Sequence, residues 1–207
     1  MIKLSLLGLF IPTFFFVSAT PGLCMTLALS LGMTVGVRRT LWMMAGELVG
    51  VAIVVLATLA GVATIMLTDP QLFVIFKIAG GAYLAFLGFQ LWRSKGTMAI
   101  TLDVARSELT TRTQLVTQGF VTAVANPKGW AFFIALLPPF IDHQLPISSQ
   151  IVILLSIILI LEFICLMAYA SGGRLLSGLL QNRTNVKTIN RIAGSLIIGV
   201  AIWLSLS

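Results

Sequence analysis

Six long apolar stretches constrain the fold of this chain more than any other feature of its sequence. A helix of about 20 apolar residues crosses the hydrocarbon core of a bilayer. The chain of 207 residues is 58% hydrophobic and only 9% charged, whereas a typical soluble domain has about 25% charged residues. The sequence therefore predicts a single all-α membrane domain over 1–207, embedded in the lipid bilayer, with transmembrane helices at roughly 4–31, 41–67, 71–92, 114–141, 150–172 and 190–206.

The net charge of +7 is distributed as membrane topology requires, so it does not indicate a nucleic-acid partner. Arg38 and Arg39 follow the first stretch, and two larger basic groups follow the third and the fifth. The loops around Asp69 and Asp142 contain no Lys or Arg. The positive-inside rule therefore places the basic loops in the cytosol and both termini in the periplasm. Lys3, near the N-terminus, argues weakly against this orientation.

The two halves of the chain resemble each other. The third stretch begins KIAGGAYLAF, and 114 residues later the sixth begins RIAGSLIIGV. Glu47 and Glu162 are 115 residues apart, in the second and fifth stretches, and Pro21 and Pro127 are 106 apart, in the first and fourth. Three features recur in the same order, which favours an internal repeat, although chance similarity between helices rich in Gly and Ala is the alternative.

A repeat of three spans must enter the membrane from the opposite side the second time. The sequence therefore predicts an inverted repeat, an architecture typical of secondary transporters. Repeat one covers about 1–92, a cytosolic loop about 93–112, and repeat two about 113–207.

The prolines predict that the first helix of each repeat is broken. Pro127 has no N–H, so the carbonyl group near Ala123 loses its helical partner. In lipid, such a backbone is tolerated only where it faces protein or a water-filled cavity. The N-terminus of each second half-helix is then expected to present free N–H groups to an anion, whereas a plain kink is the alternative. The candidate substrate-binding residues at the breaks are Thr20, Pro21, Gly22, Asn126, Pro127 and Lys128.

Polar side chains inside the spans extend this candidate site. Gln118, Thr122 and Asn126 follow one another at intervals of four residues and form a polar stripe on one helix face. Glu47 and Glu162 are the only acidic residues well inside spans, where a charged side chain costs about 2.5–3.5 kcal/mol. Each glutamate is a candidate for binding a substrate ammonium group or for carrying a coupling proton. The alternative is an ion pair that only fixes helix packing, and the candidate partners are Lys128, Lys77 and Arg191.

Other functional classes have weaker support in the sequence. A membrane thiol–disulfide relay would use Cys24 and Cys165. Export of an inorganic cation is a second alternative, although no cluster of His or Cys has the spacing of a metal site. The single histidine, His143, lies in a loop, so the sequence does not predict an enzyme, a metal or a cofactor.

Several segments resemble the LysE/RhtB family of amino-acid exporters, and the resemblance runs nearly from end to end. NPKGWAFFIALLPPFID, TPGLCMTLALSLGMTVGVRRTLWMMAGELVG, KIAGGAYLAFLGFQLWRS and INRIAGSLIIG are similar to motifs of that family. Leu23 and Cys24 stand where Pro and Asn are usual, and Glu47 stands where Asp is frequent. The resemblance implies proton-driven efflux of amino acids or close derivatives across a bacterial inner membrane.

The residues and the resemblance together predict a proton-coupled exporter of a small zwitterion. The helix breaks and Lys128 would bind the carboxylate of the substrate, and Glu47 or Glu162 would bind its ammonium group or the proton. A homodimer is compatible with the sequence.

Overall fold

The computed structural model describes residues 4–68, 70–94, 111–141 and 146–206, and these residues form helices without any strand. Lys3, Asp69, residues 95–110 and the loop at 142–145, which contribute to the topology prediction, lie outside the described residues. A short 3₁₀ turn, Pro138–Phe140, follows the sixth helix. The helices are α1 Leu4–Ala19, α2 Leu23–Thr34, α3 Val37–Thr68, α4 Pro70–Trp92, α5 Arg112–Val124, α6 Pro127–Leu136, α7 Ile147–Gln181 and α8 Arg183–Leu206.

Three of these helices are long and apolar enough to cross a membrane within the described part of the chain. Their apolar segments are Val37–Gly61, Ile147–Gly172 and Arg183–Trp203. Helices α1 and α2, bent by 56°, form a fourth span if they are counted together. The apolar part of α4, Ile78–Trp92, is shorter, and α5 and α6 have 13 and 10 residues. Length and composition therefore support three or four of the six predicted spans.

The helices are interrupted at both predicted prolines. α1 ends at Ala19 and α2 begins at Leu23, with Gly22 in an extended conformation between them (φ −140°, ψ −175°). α5 ends at Val124, and α6 begins at Pro127. Both breaks follow from the missing proline N–H, which ends the ladder of helical hydrogen bonds.

Helices α3 and α5 pack with their backbones in direct contact. A Cβ atom at Gly46 would overlap the carbonyl oxygen of Val116, and one at Gly119 would overlap the carbonyl oxygen of Met43. Small residues allow membrane helices to approach this closely. The contact fixes the position of α3 next to the second helix break.

Two clusters of buried apolar side chains fill the bundle, and the polar residues lie between them. One cluster includes Phe10, Phe14, Val17, Val51 and Ile158, and the other includes Cys24, Met25, Met43, Cys165 and Leu166. On α3, Glu47 lies between members of the two clusters, and on α7 Glu162 does the same. The first helix break also falls between them, so both glutamates and this break occupy one polar layer.

Candidate functional site

A cavity of about 80 Å³ lies in this polar layer, and we call it the central chamber. Helices α1, α2, α3, α6 and α7 all contribute to its walls. Its apolar walls include Phe14, Val17, Phe132 and Phe133. Its polar lining consists of Ser18, Thr20, Cys24, Glu47, Asn126, Lys128 and Glu162.

The two glutamates differ in their surroundings. The hydroxyl group of Ser18 donates a hydrogen bond of 2.5 Å to Oε2 of Glu162, which is half-buried. Glu47 is 0% exposed, and neither of its carboxyl oxygens has a hydrogen-bond partner among the described residues. Cys24 and Glu162 are its ionisable neighbours in the chamber. Glu162 is therefore stabilised as an acceptor, whereas Glu47 lies beside the Cys24 thiol and the Glu162 carboxyl group without forming a hydrogen bond of good geometry within the described residues.

Lys128 brings a positive charge from the second helix break to the first. A Cβ atom placed on Gly22 would lie 3.9 Å from Nζ of Lys128. Glu162 acts on this ammonium group electrostatically, but within the described chain the group forms neither a hydrogen bond nor a salt bridge. The charge of Lys128 is therefore available to a ligand in the chamber.

The half-helices that follow the two breaks, α2 and α6, have different N-termini. At α6, Oδ1 of Asn126 accepts from the backbone N–H of Lys128 (3.1 Å), and the carbonyl of Asn126 accepts from Gly129 (3.1 Å). Pro127 has no N–H, so the first turn of α6 offers no free donor. The expectation of free N–H groups at both breaks is therefore wrong for α6, because Asn126 caps this helix.

At α2, the N-cap residue is Gly22, which has no side chain to cap the helix. The first helical hydrogen bond runs from the N–H of Thr26 to the carbonyl of Gly22 (2.9 Å). The preceding N–H groups of Leu23, Cys24 and Met25 have no partner among the described residues. Of the two half-helices that follow the breaks, α2 therefore offers backbone donors to an anion and α6 does not.

Trp130 is a structural residue of the second break that the sequence reasoning missed. Its indole Nε1–H donates a hydrogen bond of 2.8 Å to the carbonyl oxygen of Val124. The carbonyl of Ala123, which was expected to lose its partner, accepts from the N–H of Asn126 at 3.2 Å. An indole within one turn after a helix-breaking proline is the signal that could have identified this contact.

Replacing Trp130 by Phe should destabilise the break while keeping an aromatic ring in place. The carbonyl of Val124 would lose its donor, which costs about 1–3 kcal/mol when the group is buried. Thermal unfolding of the purified protein in detergent measures the effect. The control is Trp203→Phe, because the indole of Trp203 packs on Phe140 without a hydrogen bond within the described residues. Equal stability of the two variants would contradict this role for the indole.

The remaining predicted site residues are distributed around and away from the chamber. Thr20 lines it, but its hydroxyl group donates to the carbonyl of Phe16 (2.8 Å). Pro21 and Pro127 line a second cavity, of about 430 Å³, which also reaches Lys128. We call this second cavity the side vestibule. It shares Lys128 with the central chamber, so the two spaces adjoin there.

Of the predicted polar stripe, Asn126 lines the central chamber, whereas Gln118 and Thr122 on α5 do not reach it. The side chains of Gln118 and Thr122 line neither the central chamber nor the side vestibule. The hydroxyl group of Thr122 donates instead to the carbonyl of Gln118 (2.7 Å). The buried residues of α5 are Leu115, Gly119 and Ala123, so a different face of the helix is turned inward.

Of the two predicted cationic partners whose side chains the structure describes, Lys128 lines the chamber and Arg191 does not. The guanidinium group of Arg191 lies over the ring of Trp92, 5.3 Å from its centroid. The side chain of Lys77 lies outside the described residues.

The cysteines and potential metal ligands have a simpler arrangement. Cys24 and Cys165 are both buried and free, with no disulfide between them. Among the side chains that the structure describes, no group of three or more His, Cys, Asp or Glu residues is arranged to hold a metal ion.

An all-helical membrane protein with a polar cavity between interrupted helices has the organisation of a solute transporter. The chain belongs to the LysE family, since residues 15–207 match the family described as LysE type translocator. It is therefore a transporter and not an enzyme.

Several relatives support this assignment. The homoserine/homoserine lactone efflux protein of Salmonella typhimurium is 29% identical over 171 residues, which cover 82% of this chain and 81% of the relative. The corresponding protein of Salmonella typhi is 30% identical with the same coverage. A leucine efflux protein of Klebsiella pneumoniae is 27% identical, with 89% of this chain and 85% of the relative covered. No solved structure matches the chain.

Proposed function

We propose that this protein exports a small zwitterion, an amino acid or a close derivative, from the cytosol in exchange for protons. The observation that carries the proposal is that one cavity is lined by both acidic and basic side chains. Lys128 and the uncapped end of α2 offer donors to a carboxylate, and Glu47 and Glu162 offer acceptors to an ammonium group. The efflux relatives, with homoserine and leucine in their names, support the same substrate class.

The two glutamates receive different roles in this proposal. Glu162 binds the ammonium group, because Ser18 already stabilises its carboxylate by a hydrogen bond. Glu47 carries the coupling proton, because an ionised carboxylate without a hydrogen-bond donor is strongly disfavoured in an apolar interior. Its complete burial supports this assignment, as does the lack of a hydrogen-bond partner for its oxygens in the part of the chain that the structure describes.

The architecture proposed for this transport is six spans in two inverted repeats, within a bacterial inner membrane. Both helix breaks and the two glutamates recur in the two halves in the order that such a repeat requires. The basic loops lie in the cytosol and the termini in the periplasm, in accordance with the positive-inside rule. Alternating access would then rock one repeat against the other around the chamber.

Transport by purified protein in proteoliposomes tests the proposal. The substrates are labelled homoserine and leucine, followed by a panel of other amino acids and dipeptides. We expect uptake driven by a pH gradient, and also exchange of labelled for unlabelled substrate without a gradient. Glu47→Gln should abolish the gradient-driven uptake and retain the exchange, whereas Glu162→Gln should abolish both activities.

Glu108→Gln is the matched control, because it makes the same chemical change in the loop between the third and fourth predicted spans. It should leave both kinds of transport intact. Absence of flux for every amino acid tested would contradict the proposed function. Gradient-driven uptake by Glu47→Gln would contradict only the assignment of the proton.

A further inference from the structure

The side vestibule is a second cavity with polar residues in its walls, and the proposed function of the central chamber assigns it no role. Its volume of about 430 Å³ falls in the range of about 300–1,000 Å³ that is typical of small-molecule sites. Leu87, Leu91, Val186 and Ile197 supply its apolar walls. It runs from Lys128, beside the chamber, to Asn190.

Asn190 is an incompletely paired polar residue in the wall of this cavity. Its side chain is 5% exposed, and Nδ2 donates a hydrogen bond of 2.9 Å to Oγ of Ser94. Its Oδ1 is buried and has no hydrogen-bond partner among the described residues. Leaving a buried acceptor unpaired costs about 1–3 kcal/mol. Because the residue lines the vestibule, a ligand there can supply the missing donor once the amide turns slightly toward the cavity.

The end of the vestibule near Asn190 is also the basic end of the bundle. Arg93 precedes Ser94 in the chain, and its guanidinium group lies over the ring of Phe89 at 5.3 Å. Arg191 follows Asn190 and lies over Trp92. These stacking contacts keep both charged groups beside the aromatic rings. The positive-inside rule assigns this end to the cytosol, the side from which an exporter must receive its substrate.

We propose that the side vestibule is a cytosol-facing loading site, in which Oδ1 of Asn190 accepts a hydrogen bond from the ammonium group of a small zwitterion. Lys128 then attracts the carboxylate toward the central chamber, since it borders both cavities. Asn190 is thus a specificity-determining residue that favours ligands with a donor at this position. This inference rests on the proposed function and adds a second binding position to it.

Thiol labelling at Gln90 tests access to the vestibule. Gln90 lines the vestibule, so Gln90→Cys should react with a charged, membrane-impermeant maleimide added at the basic face, in inside-out vesicles. Phe86→Cys is the matched control, because Phe86 lies one turn earlier on α4, is 58% exposed and lines neither cavity. The unmodified chain gives the background from Cys24 and Cys165. Labelling of Phe86→Cys as fast as that of Gln90→Cys would overturn the inference.

Protection by substrate tests the role of Asn190. L-homoserine and L-leucine are the probes, and the one that is transported should slow the labelling of Gln90→Cys. Addition of Asn190→Leu should raise the concentration needed for protection about tenfold or more, because a hydrogen bond to a charged group is lost. A probe that is transported without protecting, or that protects equally well in the presence of Asn190→Leu, overturns the loading site alone. If no amino acid is transported and none slows the labelling of Gln90→Cys, both the proposed function and the loading site are wrong.

Discussion

Lys128→Met should reduce efflux about 10- to 100-fold, because a hydrogen bond to a charged group contributes about 1.5–3 kcal/mol. Methionine retains an unbranched apolar chain and removes the ammonium group that would bind the substrate carboxylate. Because the ammonium group of Lys128 forms no hydrogen bond or salt bridge with the described residues, its removal leaves no described partner unpaired, and the backbone hydrogen bond to Asn126 is retained. Initial rates of efflux from preloaded cells, normalised to the amount of protein in the membrane, measure the effect.

Lys187→Met is the control for this experiment. It makes the same substitution at an exposed position on α8, so efflux should be unchanged. Lys128→Arg should retain part of the activity if only the charge matters, and little of it if the compact ammonium group is required. Unreduced efflux by Lys128→Met would show that the carboxylate does not depend on this residue.

Gly119→Val should destabilise the protein and also lower its transport rate. A Cβ atom at this position would overlap the carbonyl oxygen of Met43, so α3 and α5 would have to separate. Overpacking a tight contact typically costs about 1–3 kcal/mol, occasionally more. Met43 lies one helical turn before Glu47, and the separation would therefore displace a wall of the chamber.

Thermal unfolding in detergent and efflux at a temperature well below the midpoint separate the two effects. Gly199→Val is the matched control, because a Cβ atom there meets nothing within 4 Å. It should unfold at the same temperature as the unmodified protein. If Gly119→Val also unfolded at that temperature, the direct backbone contact between α3 and α5 would be incorrect.

Local chemistry explains what could be predicted from the sequence. A proline has no N–H in any context, so Pro21 and Pro127 each predict an interruption. Pro12 lies inside α1 without ending it, so the related positions of Pro21 and Pro127 in the two halves, and not the residue type alone, locate the breaks. An acidic side chain inside a span is unfavourable in any fold, so Glu47 and Glu162 could be expected to face a shared interior. The structure does place them around one chamber.

Contacts between distant segments explain what could not be predicted. Ser18 and Glu162 are 144 residues apart in sequence, and no local pattern connects them. The stripe of Gln118 and Thr122 has a regular helical spacing, but spacing does not define which face packs inward. That choice depends on Gly119, whose missing side chain allows close contact with α3.

The N-termini of α2 and α6 differ, and this difference makes the chamber asymmetric toward a bound carboxylate. If both half-helices had free N–H groups, a carboxylate could bind equally well at either break, in two opposite orientations. Asn126 closes one end and Gly22 leaves the other open, so only one orientation has its full set of donors. When the ammonium and carboxylate groups are held in one orientation, the two enantiomers of an amino acid direct their side chains toward different walls of the chamber. The apolar wall at Phe14, Val17 and Phe132 supplies the third contact that distinguishes them. The chamber is therefore expected to distinguish an L-amino acid from its mirror image, although the two have identical charges.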